Sequence, residues 1–137
     1  MHSQLLRLFA VVALTITVGC GEGLADPTIT LPEEANLERY GSTWHFTLPF
    51  RTTATSGATD VEYSFRVREL RGGFLNDRSK AVSFKTPPSK VLIPLNARPQ
   101  FPTGVVVELQ LEVTAISWNG VDSGIAVKTE SYNFSAR

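Results

Sequence analysis

The sequence predicts an all-β protein, a two-layer antiparallel sandwich of about seven short strands. Three observations support this class. Apolar and polar residues alternate with a period of two through most of the chain after Asp26. Turn signals rich in glycine and proline separate the alternating segments. No segment after Asp26 keeps a helical period for more than two turns, so the crossover helices that a parallel sheet needs are missing.

Each predicted strand has one apolar face. Ile29 and Leu31 form a short first strand, and Pro32 to Arg39 is compatible with either a short helix or a loop. The later strands have these apolar positions: Trp44, Phe46, Leu48 and Phe50; Val61, Tyr63, Phe65 and Val67; Val82 and Phe84; Val91, Ile93 and Leu95; Val105 to Ala115; and Val127 to Phe134. One-sided alternation predicts sheets that are dry on one face and solvated on the other. The expected core residues are Trp44, Phe46, Tyr63, Phe65, Phe84, Ile93, Leu109, Leu111 and Val113.

Turn signals lie between these strands. They are Thr55-Ser56-Gly57, Arg71-Gly72-Gly73, Pro87-Pro88, Pro99 to Gly104 and Asn119-Gly120. The sequence contains no glycine-rich phosphate-binding loop, and we interpret Arg71-Gly72-Gly73 most simply as a hairpin turn.

Length and charge limit the possible functions. The chain has 137 residues, which suits one domain, and 13 Lys and Arg residues balance 13 Asp and Glu residues. Without a net positive charge, we expect no nucleic-acid partner.

The sequence predicts a signal peptide with a short linker at residues 1–25 and the β-sandwich domain at residues 26–137. His2 and Arg7 give a weakly positive start, and the apolar run from Leu5 to Val18 is too short to span a bilayer stably.

Two cleavage sites compete in this segment. Thr17-Val18-Gly19-Cys20 resembles the lipobox of bacterial lipoproteins, in which the cysteine is lipidated and becomes the new N-terminus; Thr17 departs from the usual leucine. Gly23-Leu24-Ala25 resembles an ordinary signal-peptidase site with cleavage after Ala25. We favour the lipobox, because it explains why the only cysteine follows a small residue at the end of the apolar run.

The segment Leu95 to Phe134 resembles the C-terminal half of a fibronectin type III domain. The matching stretches are Leu95, Pro102-Thr103-Gly104, Leu109 to Ala115, Ser117 to Gly120 and Ser131 to Phe134. Trp44 and Tyr63 look like the tryptophan and tyrosine of the family's second and third strands. Leu109 departs from the family, which usually has a tyrosine there whose hydroxyl ties down the neighbouring corner. The resemblance implies a fibronectin type III-like or immunoglobulin-like sandwich, a fold that hosts many functions.

Residues suited to chemistry are sparse. His45 is the only histidine after the signal segment and falls on the outward side of its strand, so we expect no metal site and no cofactor. Glu108 and Glu112 are the carboxylates that a small hydrolase would use. Because they lie on one solvated strand face, we expect no enzyme.

Aromatic residues at two turns are candidates for binding. Trp118 stands beside Asn119-Gly120, and Phe74 follows Arg71-Gly72-Gly73. Exposed aromatic residues on loops often anchor partners. For Trp118, an anchor and a lid over the core are equal alternatives, whereas for Phe74 the lid is favoured.

Arg66 and Arg68 are the other candidate binding residues. Their strand is expected to pair antiparallel with the strand of Glu108, Gln110 and Glu112, so that all five share one outward surface. We favour a structural role, in which this charged stripe solubilises one sheet and helps to fix register. The alternative is a polar ligand surface made of the same side chains.

These observations predict a non-catalytic lipoprotein of a bacterial envelope, held to the membrane through lipid on Cys20. Its sandwich would bind an envelope protein or glycan or serve a structural role. The alternatives are a soluble secreted or periplasmic binding domain cleaved after Ala25, and a small hydrolase.

Overall fold

The computed structural model describes residues 27–52, 60–86 and 88–136. Strands run through most of this part of the chain. Their bounds are β1 Ile29–Thr30, β2 Asn36–Tyr40, β3 Thr43–Pro49, β4 Arg51–Thr52, β5 Asp60–Arg71, β6 Val82–Phe84, β7 Lys90–Pro94, β8 Val106–Trp118 and β9 Ser123–Ser135. Within these three ranges there is no helix, and hence none with the length and apolarity to cross a membrane.

The strands form two antiparallel sheets that pack on each other. One sheet has three strands in the order β2-β3-β7, and the other has four in the order β6-β5-β8-β9. A separate short ribbon joins β1 to β4. The predicted all-β class and two-layer antiparallel architecture are therefore confirmed.

The core lies between the sheets and includes most of the inward residues that the alternation predicted. Among the largest fully buried side chains are Phe46, Phe65, Leu48, Ile93, Leu109 and Leu111. Trp44 and Phe84 are half-buried and pack against this core. Phe46 of β3 meets Tyr132 of β9 edge-on, with ring centroids 5.5 Å apart. Truncating one large core residue to alanine typically costs about 2–5 kcal/mol.

In the segment Pro32 to Arg39, residues 32–35 form a loop, but β2 begins at Asn36, so the prediction of a helix or a loop is wrong from Asn36 onward. β2 pairs antiparallel with β3 and places Leu37 opposite Phe46. Gly41, with φ of 63°, makes the tight turn between the two strands. The hydrophobic pattern did not indicate this strand, because Leu37 is its one apolar side chain that packs against the core.

The hairpin turn predicted at Arg71-Gly72-Gly73 is instead the first part of a longer loop, residues 72–81, that connects β5 to β6. Gly72 has φ of 117° and lies against β8, where an added Cβ would come within 2.6 Å of the Cα of Val107. The chain therefore leaves β5 by passing directly over β8. Only glycine fits at position 72, because it has no Cβ and readily adopts a positive φ.

A tryptophan ties down the loop between β7 and β8, residues 95–105. The indole Nε1 of Trp44 donates a hydrogen bond to the carbonyl oxygen of Pro99 at 3.1 Å. Leu109, at the position where the resemblance implies a corner tyrosine, is fully buried. The polar tie to this corner thus comes from Trp44 on β3 and not from a side chain on β8.

The turn predicted at Asn119-Gly120 is confirmed as the connection between β8 and β9. The side-chain oxygen of Asn119 accepts hydrogen bonds from the backbone nitrogens of Val121 at 3.0 Å and Asp122 at 2.7 Å. Gly120 adopts φ of 93°. This side-chain cap closes the longest hairpin of the fold.

Candidate functional site

The predicted binding residues lie in different parts of the fold. Arg66 and Arg68 are exposed on β5, on the outer face of the four-stranded sheet. Trp118 is half-buried at the end of β8. Phe74 is fully buried. Cys20 lies outside the described residues.

The predicted pairing of the charged strands is confirmed. β5 runs antiparallel to β8 and places Arg66 opposite Glu112 and Arg68 opposite Gln110. A register shift after Glu69 brings Arg71 opposite Glu108. The inward neighbours on both strands are buried and apolar, so these polar side chains share the solvated face.

The cationic side chains of this face differ in their contacts. Arg68 Nε donates a hydrogen bond to Gln110 Oε1 at 2.8 Å, and Arg71 Nε lies 3.5 Å from Glu108 Oε1. Neither Arg66 nor Arg78 has a hydrogen bond or ion pair through its guanidinium in the described part of the chain. Among the described residues, these two arginines have no side-chain partner.

Arg78 is the site residue that sequence reasoning missed. It lies in the loop 72–81, and its neighbour Ser79 is buried and holds this part of the loop against β5. The Ser79 hydroxyl accepts from the backbone nitrogen of Val67 at 2.7 Å, and the Ser79 nitrogen donates to the Val67 oxygen at 3.0 Å. The Ser79 hydroxyl thus accepts the hydrogen bond from Val67 N that the backbone carbonyl of a neighbouring strand would otherwise accept. No sequence periodicity marks such a contact, which explains why Arg78 was missed.

A second fixation holds the beginning of the same loop. Glu69 Oε2 accepts hydrogen bonds from the backbone nitrogens of Phe74 at 2.6 Å and Leu75 at 3.1 Å. Phe74, fully buried, packs its ring 5.6 Å from Trp44 and 5.0 Å from Phe101. The loop is therefore anchored at both ends, and Phe74 serves as a core lid whose ring is not available at the surface.

The arginines line a shallow cavity of about 240 Å³, which we call the arginine concavity. Its walls are Arg66, Arg68, Arg78, Gln110 and Glu112. Three guanidinium groups face one carboxylate, so the concavity has an excess of positive charge. Guanidinium groups offer paired N–H donors that match the oxygens of carboxylate and phosphate groups. The arrangement is suited to holding an anion.

Trp118 belongs to the other end of the same sheet face. Strand alternation puts it on the outer face with Ile116, since Ser117 between them is fully buried. Ile116 pairs directly with Ile125 of β9. Trp118 thus lies on the outer face of the sheet beside the hairpin tip, near the apolar pair of Ile116 and Ile125.

The remaining candidates for chemistry are dispersed. Glu108 pairs with Arg71, and Glu112 lines the arginine concavity. His45 lies on the outer face of the three-stranded sheet, with its ring centroid 5.2 Å from that of Tyr40. Within residues 27–52, 60–86 and 88–136, no group of three His, Cys, Asp or Glu side chains is arranged to hold a metal ion.

The face that carries His45 also holds an ion pair. Lys90 Nζ lies 2.9 Å from Glu38 Oε2, and the hydroxyl of Tyr40 donates to the same oxygen at 2.8 Å. The hydrogen bond from Lys90, followed by that from Tyr40, lowers the pKa of Glu38, and the same contact with Glu38 raises the pKa of Lys90.

The chain matches no protein-family model, no curated protein and no solved structure. The function is therefore inferred from the residues and their geometry.

Proposed function

We propose that this protein is a non-catalytic lipoprotein of a bacterial envelope, and that its domain is a fibronectin type III-like binding module. The proposal has three parts, namely the type of sandwich, the lipid anchor on Cys20 and the binding face. Different observations support each part.

The order of the strands supports an immunoglobulin-like sandwich. Counting only the seven strands of the two large sheets, the first, second and fifth form one sheet, and the third, fourth, sixth and seventh form the other. Immunoglobulin-type sandwiches likewise keep strands A, B and E in one sheet and C, F and G in the other, and an added C′ strand joins the C-F-G sheet. With β5 as C, β6 as C′ and β8 and β9 as F and G, the connectivity agrees.

The sequence before the domain supports a lipid anchor. Cys20 follows a small residue at the end of an apolar run, and only the residues 21–26 separate it from the described domain. The domain's first segment is docked, because Lys128 Nζ donates to the Ile29 oxygen at 3.0 Å and the Tyr132 hydroxyl donates to the Pro32 oxygen at 2.8 Å. A connection this short reaches at most about 25 Å, so an anchored domain would stay close to the bilayer.

The outer face of the four-stranded sheet supports a binding role. This face holds the arginine concavity at one end and the apolar area of Ile116, Trp118 and Ile125 at the other. Binding surfaces commonly combine an aromatic anchor with charged groups that orient the partner. An envelope protein or glycan is the class of partner that such a face and such an anchor would serve.

Replacement of the cysteine tests the anchor. One acyl chain holds a protein to a bilayer only marginally, and bacterial lipoproteins meet that need with several chains on one cysteine. In a bacterial host, wild-type protein should therefore fractionate with membranes, and Cys20→Ser should appear in the soluble fraction. If wild-type protein is soluble and begins at Asp26, the anchor is wrong and the alternative holds, a secreted or periplasmic binding domain cleaved after Ala25.

A further inference from the structure

The arginine concavity is a preorganised cluster of positive charge on a protein with no net charge. We propose that it binds a phosphate monoester group, either that of a phosphorylated sugar or that of a phosphatidic acid headgroup. This inference rests on the proposed binding role and names its ligand chemistry, and it is independent of whether Cys20 carries lipid.

The charge balance favours a dianion. Arg66, Arg68 and Arg78 contribute three positive charges, and Glu112 contributes one negative charge. Like charges that share one concave surface raise its potential and attract counter-ions. A phosphate monoester carries between about −1.5 and −2 at neutral pH, which matches the remaining excess.

The donor geometry favours a tetrahedral anion over a planar carboxylate. Arg66 and Arg68 project from neighbouring outward positions of β5, whereas Arg78 comes from the loop 72–81. One carboxylate is satisfied by one guanidinium fork. A phosphate monoester offers three acceptor oxygens and can use forks that arrive from separate elements.

The site is held in place by contacts that do not involve a ligand. Arg68 is oriented by Gln110, and Arg78 is positioned by its neighbour Ser79, which is bonded to Val67 in the buried layer. The guanidinium groups of Arg66 and Arg78 remain uncommitted within the described ranges. Because the backbone that carries these arginines is already held in place, ligand binding loses less conformational entropy.

The size of the cavity suggests that it takes one group of a larger ligand. Its volume of about 240 Å³ is below the range of roughly 300–1,000 Å³ found for pockets that enclose a drug-sized molecule. A phosphate group would occupy part of it, and the sugar or glycerol that bears the phosphate would extend over the sheet.

Glu112 allows a test in which phosphate affinity should increase and not decrease. It stands opposite Arg66 and lines the same cavity, so its carboxylate repels a bound anion. Glu112→Gln should strengthen phosphate binding. If the charged stripe only fixes strand register, the same change should leave phosphate affinity as it is.

The experiment measures binding of glucose 6-phosphate to the full chain by calorimetric titration at pH 7.5 and low ionic strength, with glucose as the unphosphorylated control. Arg78→Gln is compared with Arg98→Gln, which removes the same charge from an exposed arginine outside the concavity. Arg78→Gln should weaken binding by about 10-fold or more, as expected for a lost charge-assisted contact, and Arg98→Gln should bind like wild type. A melting curve of each variant checks that it is folded.

A second arm identifies the source of the phosphate group. The same proteins are sedimented with phosphatidylcholine vesicles that contain or lack phosphatidic acid; all share one N-terminus, so differences between them report the arginines. Binding of glucose 6-phosphate that needs Arg78 indicates a phosphorylated sugar. If glucose 6-phosphate does not bind but the protein sediments with phosphatidic acid vesicles in a way that needs Arg78, the phosphate belongs to a lipid headgroup.

Three results would overturn the proposal. They are no binding of either probe, equal losses in Arg78→Gln and Arg98→Gln, and unchanged or weaker phosphate binding in Glu112→Gln. Because none of these measurements depends on where the protein fractionates in the cell, the phosphate site can fail while the lipid anchor stands, and the lipid anchor can fail while the phosphate site stands.

Discussion

The contact between Ser79 and Val67 gives a sharp prediction about stability. The Ser79 side chain is bonded twice to Val67, as acceptor from its nitrogen at 2.7 Å and as donor to its oxygen at 3.2 Å. Both residues are buried, with exposed fractions of 5% and 0%. In Ser79→Ala the Val67 oxygen keeps the bond from the backbone nitrogen of residue 79, whereas the Val67 nitrogen loses its acceptor.

The cost follows from that unsatisfied donor. A buried polar group left without a partner destabilises a protein by about 1–3 kcal/mol. For a domain of this size that is a substantial part of a total stability of roughly 5–15 kcal/mol. At about 4 °C per kcal/mol, the melting temperature should fall by about 4–12 °C.

Thermal and urea unfolding of the full chain, followed by far-UV circular dichroism, measure this loss. Ser89→Ala is the matched control, because Ser89 is exposed and its hydroxyl makes no bond in the described part of the chain. The control should change stability by less than about 0.5 kcal/mol. Equal melting temperatures for Ser79→Ala and Ser89→Ala would refute the claim that the serine hydroxyl holds the loop against β5.

Two further predictions concern a turn and an ion pair. Gly72→Ala should destabilise the fold more than Gly73→Ala in urea titrations, because both have positive φ but only at Gly72 would the Cβ meet the backbone of Val107; equal losses would contradict this. Glu38, whose pKa Lys90 lowers, stabilises the fold above its unfolded pKa of about 4.5 and loses this effect as the pH falls through its folded pKa. Glu38→Gln should therefore flatten the fall of melting temperature below pH 4.5 relative to wild type, and parallel profiles would show that the pair contributes nothing.

The placement of Arg66 and Arg68 could be predicted from the sequence. Val67 between them must point inward for the core to form, so both arginines must point outward. The same reasoning on β8 places Gln110 and Glu112 on the same face, and antiparallel pairing brings them together. Period-two alternation in the sequence thus predicts the residues of one wall of the arginine concavity.

The other wall could not be predicted in this way. Arg78 lies in a loop without periodicity, and its position depends on a serine hydroxyl and on the carboxylate of Glu69, contacts that no local pattern encodes. The strand β2 was missed for a related reason, since Leu37 is the one apolar side chain by which it meets the core. Elements defined by one or two tertiary contacts leave little trace in hydrophobic patterning.

The N-terminus of the mature protein tests the central claim most directly. Mass spectrometry of wild-type protein purified from a bacterial host would locate the first residue and any modification on it. A membrane-anchored lipoprotein predicts a chain that begins at Cys20 and carries acyl chains on that residue. An unmodified chain that begins at Asp26 would contradict the anchor and leave a soluble sandwich domain in its place.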